Sequence, residues 1–385
     1  MGAGRRPRTV GRRHRRFEGA PHAGARPGTG AGRGRHRHRH LAPTPGRPAR
    51  PAQLRSGSVQ FTRTLPRELV HRAAVAEVFL TDAERRGEDE VLLAAQLPRR
   101  HAFYHDTRGD RSRRDPMLLL EACRQGIFVV AHRYLGVPLG HKFLLRAVEF
   151  DVPDPAALDG DDPSTEAVIA TRIEQRFHGR AGTTGLRLGF DMTIGAREAL
   201  MARIDYSWMP PRAWARLRAG QRGAFGLPEV PVALPGPRAE PALVGRHDPA
   251  NAVISAPRTA QDGTHTARLI ADTDHPTLYD HWVDHVPGML ELEAFRQLAL
   301  TAAVDAGTLR TPTALMVGLA ARFCCFAEMD LPLECRIAPV LPGTDIECGL
   351  YQRGALAAEA RVRLADPGTA GLSGALAAPA ARGAG

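Results

Sequence analysis

The sequence predicts an α+β protein built twice on one plan, an antiparallel sheet wrapped around a single long central helix. Three observations carry this expectation. First, a decapeptide recurs: Pro116-Met-Leu-Leu-Leu-Glu121-Ala-Cys-Arg124-Gln125 returns as Gly288-Met-Leu-Glu-Leu-Glu293-Ala-Phe-Arg296-Gln297, with seven of ten positions identical at a constant offset of 172. Second, both copies sit in apolar runs of helical length without a broad polar face, as a helix buried on all sides requires. Third, each is flanked by short runs with strand-like alternation. A duplicated segment of this size implies a duplicated fold.

Order is expected to begin near Val59–Leu69. Val75–Leu80 and Val91–Leu97 read as strands around the charged turn Asp82–Asp89. The loop after them holds His101, Phe103, Tyr104, His105 and Asp106. The first repeat helix then starts, with Asp115 as cap and Pro116 at the first helical position, where a missing N–H costs nothing. It runs to about Tyr134, with Gly136 as its stop. Lys142–Val152, Ala167–Phe177, Leu186–Ile194 and Ala199–Trp208 read as strands, and Tyr206 and Trp208 as strand packing. Pro210 and Pro211 break the pattern before a short helix at Arg212–Arg218.

Gly226–Pro241 is rich in Pro and Gly and reads as a linker. The second unit opens near Leu243, with short strands at Val253–Ser255 and Ala267–Ala271. His275-Pro-Thr-Leu-Tyr279-Asp280-His281 parallels His101-Ala-Phe-Tyr104-His105-Asp106. The second repeat helix spans about Pro287 to Asp305, ended by Gly307, and strands follow at Leu315–Phe326, Leu333–Val340, Glu347–Tyr351 and Ala357–Leu364. The organisation expected is a disordered basic tail (1–57), a first unit (58–222), a linker (223–242), a second unit (243–368) and a disordered end (369–385).

Charge separates the tail from the rest. Residues 1–55 hold fifteen arginines and one acid, Glu18, a net of +14 within the chain's +11, so everything after them sums to −3. With so little apolar content the tail cannot offset the entropy of ordering. One lysine, Lys142, stands against 51 arginines. That bias fits a GC-rich genome, where an upstream segment read from a mis-chosen start codon has this composition. A basic arm on nucleic acid or membrane is the other reading, but no helix-turn-helix pattern supports a nucleic-acid role. No apolar core of a secretory signal follows the arginines, and no run reaches the roughly 18–20 apolar residues of a membrane span. The five cysteines, Cys123, Cys324, Cys325, Cys335 and Cys348, show no CxxC and no zinc-ligand spacing. Reduced thiols in a cytoplasmic protein, with no metal and no cofactor, are expected.

The paired helix motifs, Asp115-Pro116-Met117-Leu118 before the first glutamate and His275-Pro-x-x-Tyr279-Asp280-His281 with Asp284-His285-Val286-Pro287-Gly288-Met289 before the second, resemble the A-factor biosynthesis family. The similarity covers roughly residues 60–365 and is strongest at 98–150 and 275–326. Each unit also resembles, more distantly, the 3-hydroxyacyl-carrier-protein dehydratases, which share the fold and a histidine-then-glutamate order. The resemblance implies a tandem, or double, hotdog fold. It implies an actinomycete gamma-butyrolactone signal synthase that joins a beta-ketoacyl group, carried as an acyl-carrier-protein thioester, to the hydroxyl of dihydroxyacetone phosphate. It puts the family's helix glutamate on Glu121 and Glu293, and its arginine on Arg296 with Arg124 as partner. The arginine-rich tail is no part of the family pattern.

That chemistry needs a base, a cation for phosphate and donors for a developing oxyanion. Glu293 and Glu121 in apolar surroundings are expected to have raised pKa values and serve as bases. Arg296 and Arg124 offer forked donors to phosphate. Gly288 would let substrate approach a helix N-terminus closely, where free N–H groups and the dipole favour negative charge, whereas Pro116 would not; this favours the second helix as the catalytic one. His275 and His101 precede the glutamates by 18 and 20 residues and are candidate acid/base groups, or hydrogen-bonded loop residues. His281 and His285 are weaker candidates, and His132 reads as core. Gln297 and Gln125 could contact substrate or satisfy backbone. Arg146 and Arg322 align on the strands after each helix and could bind phosphate or a carrier arm, or pair with the glutamates. An internal Glu–Arg salt bridge is the bland alternative for the helix pairs. The competing functions are a dehydratase or thioesterase on acyl thioesters, and a non-catalytic acyl or butyrolactone binder. A homodimer is compatible with each.

Overall fold

The computed structural model describes residues 59–366, apart from 110–111, 161–163 and 181. The expected basic tail (1–57) and disordered end (369–385) lie outside the described residues. Among the described residues twelve strands form one antiparallel sheet. The first six are β1 (Leu80–Arg85), β2 (Glu90–Pro98), β3 (Lys142–Asp151), β4 (Ser164–Gly179), β5 (Gly182–Ile194) and β6 (Arg197–Met209). The second six are β7 (Arg258–Thr259), β8 (His265–Arg268), β9 (Leu315–Phe323), β10 (Leu333–Ile337), β11 (Ile346–Gln352) and β12 (Ala355–Ala365).

Their spatial order is β1-β2-β4-β5-β6-β3-β9-β12-β11-β10-β8-β7. Read outward from the central β3–β9 pair, each strand of the first half faces its counterpart six places on in the second. The duplication seen in the decapeptide therefore extends to the whole topology. The seam is an ordinary antiparallel ladder from Ala147↔Arg322 to Asp151↔Gly318, so one continuous sheet spans both halves.

Each half wraps one helix, α1 (Pro116–Val129) and α3 (Gly288–Asp305). Asp115 accepts the Met117 N–H at 2.9 Å and caps α1, and Pro116 occupies the first turn. Every residue of α1 is buried except Arg124. Burial of its leucines and methionine, at roughly 1.5–3 kcal/mol each, is what holds it in the sheet. A π-helical turn, Val130–Tyr134, prolongs it. The inward faces of the strands follow the pleat: along β6, Leu200, Ala202, Ile204, Tyr206 and Trp208 alternate with less buried residues.

Three expectations change. Val75–Glu77 is a 3-10 turn, and β1 begins at Leu80 and runs through the segment read as a charged turn. Its charges stand on the outer side of a bulged strand while Leu80 and Ala83 point in. In the second half, Val253–Ser255 contributes only the single bridge Ile254↔Leu269, and β8 stops at Arg268. The helix after β6, α2, is longer than expected, Pro211–Ala224. It straps the first half to the second: Trp214 and Arg218 reach Asp284, Arg218 and Arg222 share Glu328, and Arg222 pairs with Asp330.

Candidate active site

The residues ahead of each helix form the same hydrogen-bond network twice, at an offset of 174. His101 Nδ1 accepts the N–H groups of Phe103 and Tyr104 at 3.1 and 3.3 Å, and its Nε2 meets Glu77. His275 Nδ1 accepts from Thr277 and Leu278 at 3.2 and 3.0 Å, and its Nε2 meets Asn251. Both ring nitrogens are thereby committed, so His101 and His275 anchor loops and are not free for the acid/base role expected of them. Gln125 and Gln297 each donate to a backbone carbonyl, of Glu77 and Asn251, and accept a backbone N–H, from Phe79 and Val253. Gln297 is therefore a backbone clamp and no substrate ligand. The halves also exchange contacts. Asp280 accepts the N–H groups of Ala73 and Ala74, and Asp106 those of His247 and Asp248.

At the heart of each half a fully buried glutamate holds two arginines. Glu121 binds Arg72 at 2.5 Å and Arg124 at 2.7 Å. Glu293 binds Arg246 at 2.8 Å and Arg296 at 2.6 Å. Burial alone would raise the Glu121 pKa, but Arg124 and Arg72 outweigh it and hold the carboxyl at about 2. The expectation that it acts as a base with a raised pKa is thus corrected: Glu121 is a fixed carboxylate that positions two guanidinium groups.

The two clusters differ in what lies beyond them. Arg296 is buried and makes a second ion pair with Asp115, at 2.5 Å. Arg246 lies over the Phe103 ring at 4.4 Å and donates to its carbonyl. The second cluster is closed, so Glu293 and Arg296, expected at the centre of the chemistry, are sealed inside the protein. At the offset of 172 Asp115 corresponds to Pro287, and at the offset of 174 Phe103 corresponds to Thr277. The first cluster keeps the carbonyl contact, Arg72 donating to Thr277, but has neither the Asp115 carboxylate nor the Phe103 ring, and Arg124 reaches a cavity of about 790 Å³.

This cavity lies between the halves. Arg72, Arg124, Ile127, Phe128, Phe143 and Leu145 line it from the first; Leu278, His281, Val283, Gly288 and Met289 line it from the second. Trp214, Ala215 and Ala219 of α2 form a further wall, and Lys142 and the exposed Trp282 stand at the rim. The helix favoured from sequence contributes its N-terminus, and the other helix contributes the Glu–Arg cluster. At α3 Pro287 occupies the cap position and supplies no side-chain acceptor, unlike Asp115 of α1. The first N–H groups of α3 thus meet the cavity uncapped. A Cβ on Gly288 would lie 3.1 Å from Leu145 and 3.2 Å from Phe323, so the glycine admits these neighbours as well as facing the cavity. Burial, opposed by its contact with Asp280, lowers the His281 pKa. For Asp284, His285, Arg218 and Trp214 overcome burial and hold it far below the ordinary carboxylate range.

Arg146 and Arg322 do not join the site. Both are exposed on the sheet's outer face, Arg146 against the Phe177 ring and Arg322 paired with Glu359. Alternation along a strand puts them opposite the helix-facing side. Sequence reasoning missed His71 and Arg72. The signal was present: Leu69-Val70-His71-Arg72 repeats as Leu243-Val244-Gly245-Arg246 at the same offset of 174. His71 adopts a left-handed conformation, φ 54° and ψ 51°, as Gly245 does with φ 73° and ψ 21°. That costs a non-glycine residue roughly 1–2 kcal/mol.

Among the described residues no helix is long and apolar enough to cross a membrane. The model of the A-factor biosynthesis hotdog domain, AfsA, matches residues 55–210 and 235–364. The 2-oxo-3-(phosphooxy)propyl 3-oxoalkanoate synthase of Streptomyces virginiae is 35% identical over 287 residues, covering 74% of this chain and 90% of that protein. The protein of that name from Streptomyces coelicolor is 34% identical over 286 residues, covering 74% and 84%. Among solved structures, the dehydratase domain from the CurF module of curacin polyketide synthase aligns with TM-score 0.43 and 9% identity over 74% of this chain and 98% of that one. The chain belongs to the A-factor biosynthesis family of hotdog proteins.

Proposed function

We propose that this chain is an acyltransferase that joins a 3-oxoacyl group, delivered as an acyl-carrier-protein thioester, to the hydroxyl of dihydroxyacetone phosphate. The relatives' name describes the ester such a transfer makes. The single structural observation that carries the reading is the opening of one Glu–Arg cluster, and not the other, onto an apolar cavity. A phosphate dianion calls for forked cationic donors, and Arg124, held by Glu121 beside Arg72, supplies them. The apolar wall of Phe128, Phe143, Leu145 and Met289 suits the acyl chain. The uncapped N–H groups at Gly288 and Met289 suit the oxyanion that forms when the hydroxyl attacks the thioester carbonyl.

Lys142 at the rim, with Arg212 and Arg216 exposed on α2, favours an acidic carrier as donor. Two halves of one chain, 58–222 and 243–368 around the linker 223–242, build both walls, so the reaction requires no second copy; a homodimer is compatible with it. Five unpaired thiols support a reducing, cytoplasmic setting. The test is direct. Purified protein is incubated with a 3-oxoacyl thioester and dihydroxyacetone phosphate, and the products are read by mass spectrometry. A phosphorylated ester is expected. Thioester cleavage by water alone, with no ester from any chain length, would replace the reading with a hydrolase.

A further inference from the structure

His71 is held in a left-handed conformation where the other half uses glycine. The two positions face different surroundings. At Gly245 a Cβ would come within 2.4 Å of the Pro312 carbonyl oxygen, so the closed side has no room for a side chain. At His71 the ring forms part of the cavity wall. It stacks on Phe128 with centroids 4.2 Å apart and meets Phe143 edge-on at 5.1 Å.

Its hydrogen bonds define the tautomer. His132 Nδ1 lies 2.6 Å from the Val137 carbonyl oxygen, which can only accept, so that nitrogen carries the proton. His132 Nε2 is then a lone pair, and His71 Nε2, 2.8 Å away, must donate to it. This leaves His71 Nδ1 unprotonated. Among the described residues it has no hydrogen-bond partner, and it is not one of the buried atoms sealed from solvent. His132 belongs to the π-helical turn after α1, a device common at functional positions.

We infer that His71, backed by His132, is the general base of the transfer, an inference that rests on the acyl-transfer reading above. The acceptor's O–H bond breaks and its proton passes to His71 Nδ1. The oxygen bonds to the thioester carbonyl carbon, the C–S bond breaks, and the sulfur leaves with that proton as a thiol. The Nε2–H to His132 spreads the transient charge over two rings. Burial first, then His132, Arg124, His281 and Lys142, keeps the resting His71 ring neutral, with a pKa of about 3. Its lone pair is therefore free at neutral pH, while the same surroundings make the ring a weak base, so the base assignment stands on the geometry.

The experiment compares wild type, His71→Gly and His71→Asn for ester formation from a 3-oxoacyl thioester and dihydroxyacetone phosphate. Glycine and asparagine both accept the left-handed backbone, so the fold is kept. We expect kcat to fall roughly 100-fold or more in both variants, with little change in donor KM. Added imidazole should restore at least a tenth of the lost rate to His71→Gly. A His71→Gly enzyme at wild-type rate overturns the assignment. A loss that imidazole does not relieve overturns it too, and marks the ring as packing. A wild type that makes no ester removes the acyl-transfer reading itself.

Discussion

Arg296 in α3 ends on Asp115, the cap of α1, with 2.5 Å between Nη1 and Oδ2. The repeat places Pro287 where a mirrored partner for Arg124 would stand, and proline has no carboxylate to offer. This difference between copies helps separate a closed ion-pair cluster from one that opens on the cavity. Arg296 has two acids and no solvent, whereas Arg124 has one acid and a cavity.

Replacing these arginines should have opposite consequences. Arg124→Ala leaves Glu121 with Arg72, so stability should change by about 1 kcal/mol or less, while kcat/KM for dihydroxyacetone phosphate falls roughly 10–100-fold. Arg296→Ala strands Asp115, leaves Glu293 with Arg246 alone, and should cost about 3–5 kcal/mol of stability. Urea denaturation and steady-state kinetics on both variants check this. Equal stability losses would refute the assignment of one open and one closed cluster.

His275→Ala removes the acceptor for the Thr277 and Leu278 N–H groups. A destabilisation of about 1–3 kcal/mol is expected, with kcat per folded molecule retained. A kcat reduced a hundredfold in fully folded protein would return His275 to the reacting centre.

Glu291 stands on α3 where α1 has Leu119. It is buried, its Oε2 lacks a partner among the described residues, and burial raises its pKa well above the ordinary range. Burial favours the protonated form in the folded state, so its contribution is full below about pH 4.5 and is lost as pH rises. Glu291→Leu should raise stability at pH 7 by roughly 1–3 kcal/mol. A lower thermal midpoint for the variant at pH 7 would show that the acid has a partner or a task.

Stability should also depend on His71 from the other direction. Its pKa is near 3 folded against 6.5 unfolded, so its contribution is complete above pH 6.5 and is lost as pH falls toward 3. Glu121, near 2 against 4.5, behaves likewise below 4.5. Between pH 6.5 and 4.5 the melting temperature of wild type should therefore fall more than that of His71→Gly. Parallel slopes for the two proteins in that interval would contradict the buried neutral ring.

Much of the architecture was legible because it is written locally. Helical runs without a polar face, strands with a two-residue alternation and the repeated Glu-x-x-Arg-Gln all announce themselves within a dozen residues. Arg146 and Arg322 misled because alignment on equivalent strands does not say which face a residue takes. His71 and Arg72 were missed because their partners are distant: Arg72 meets Glu121 across 49 residues, and His71 meets His132 across 61. Nothing in the local pattern of a 3-10 turn foretells such contacts.

The residue pattern by itself determined that this protein is two sheet-wrapped helices from one duplicated unit, since hydrophobic periodicity and repetition act over short stretches of chain. Which glutamate–arginine cluster opens was decided only in three dimensions. Asp115 closes on Arg296, and the uncapped start of α3 lines the same cavity as Arg124, because the two halves meet along β3 and β9. Contacts made across that seam join residues far apart in the chain, and their energies depend on burial that exists only once both halves have folded together.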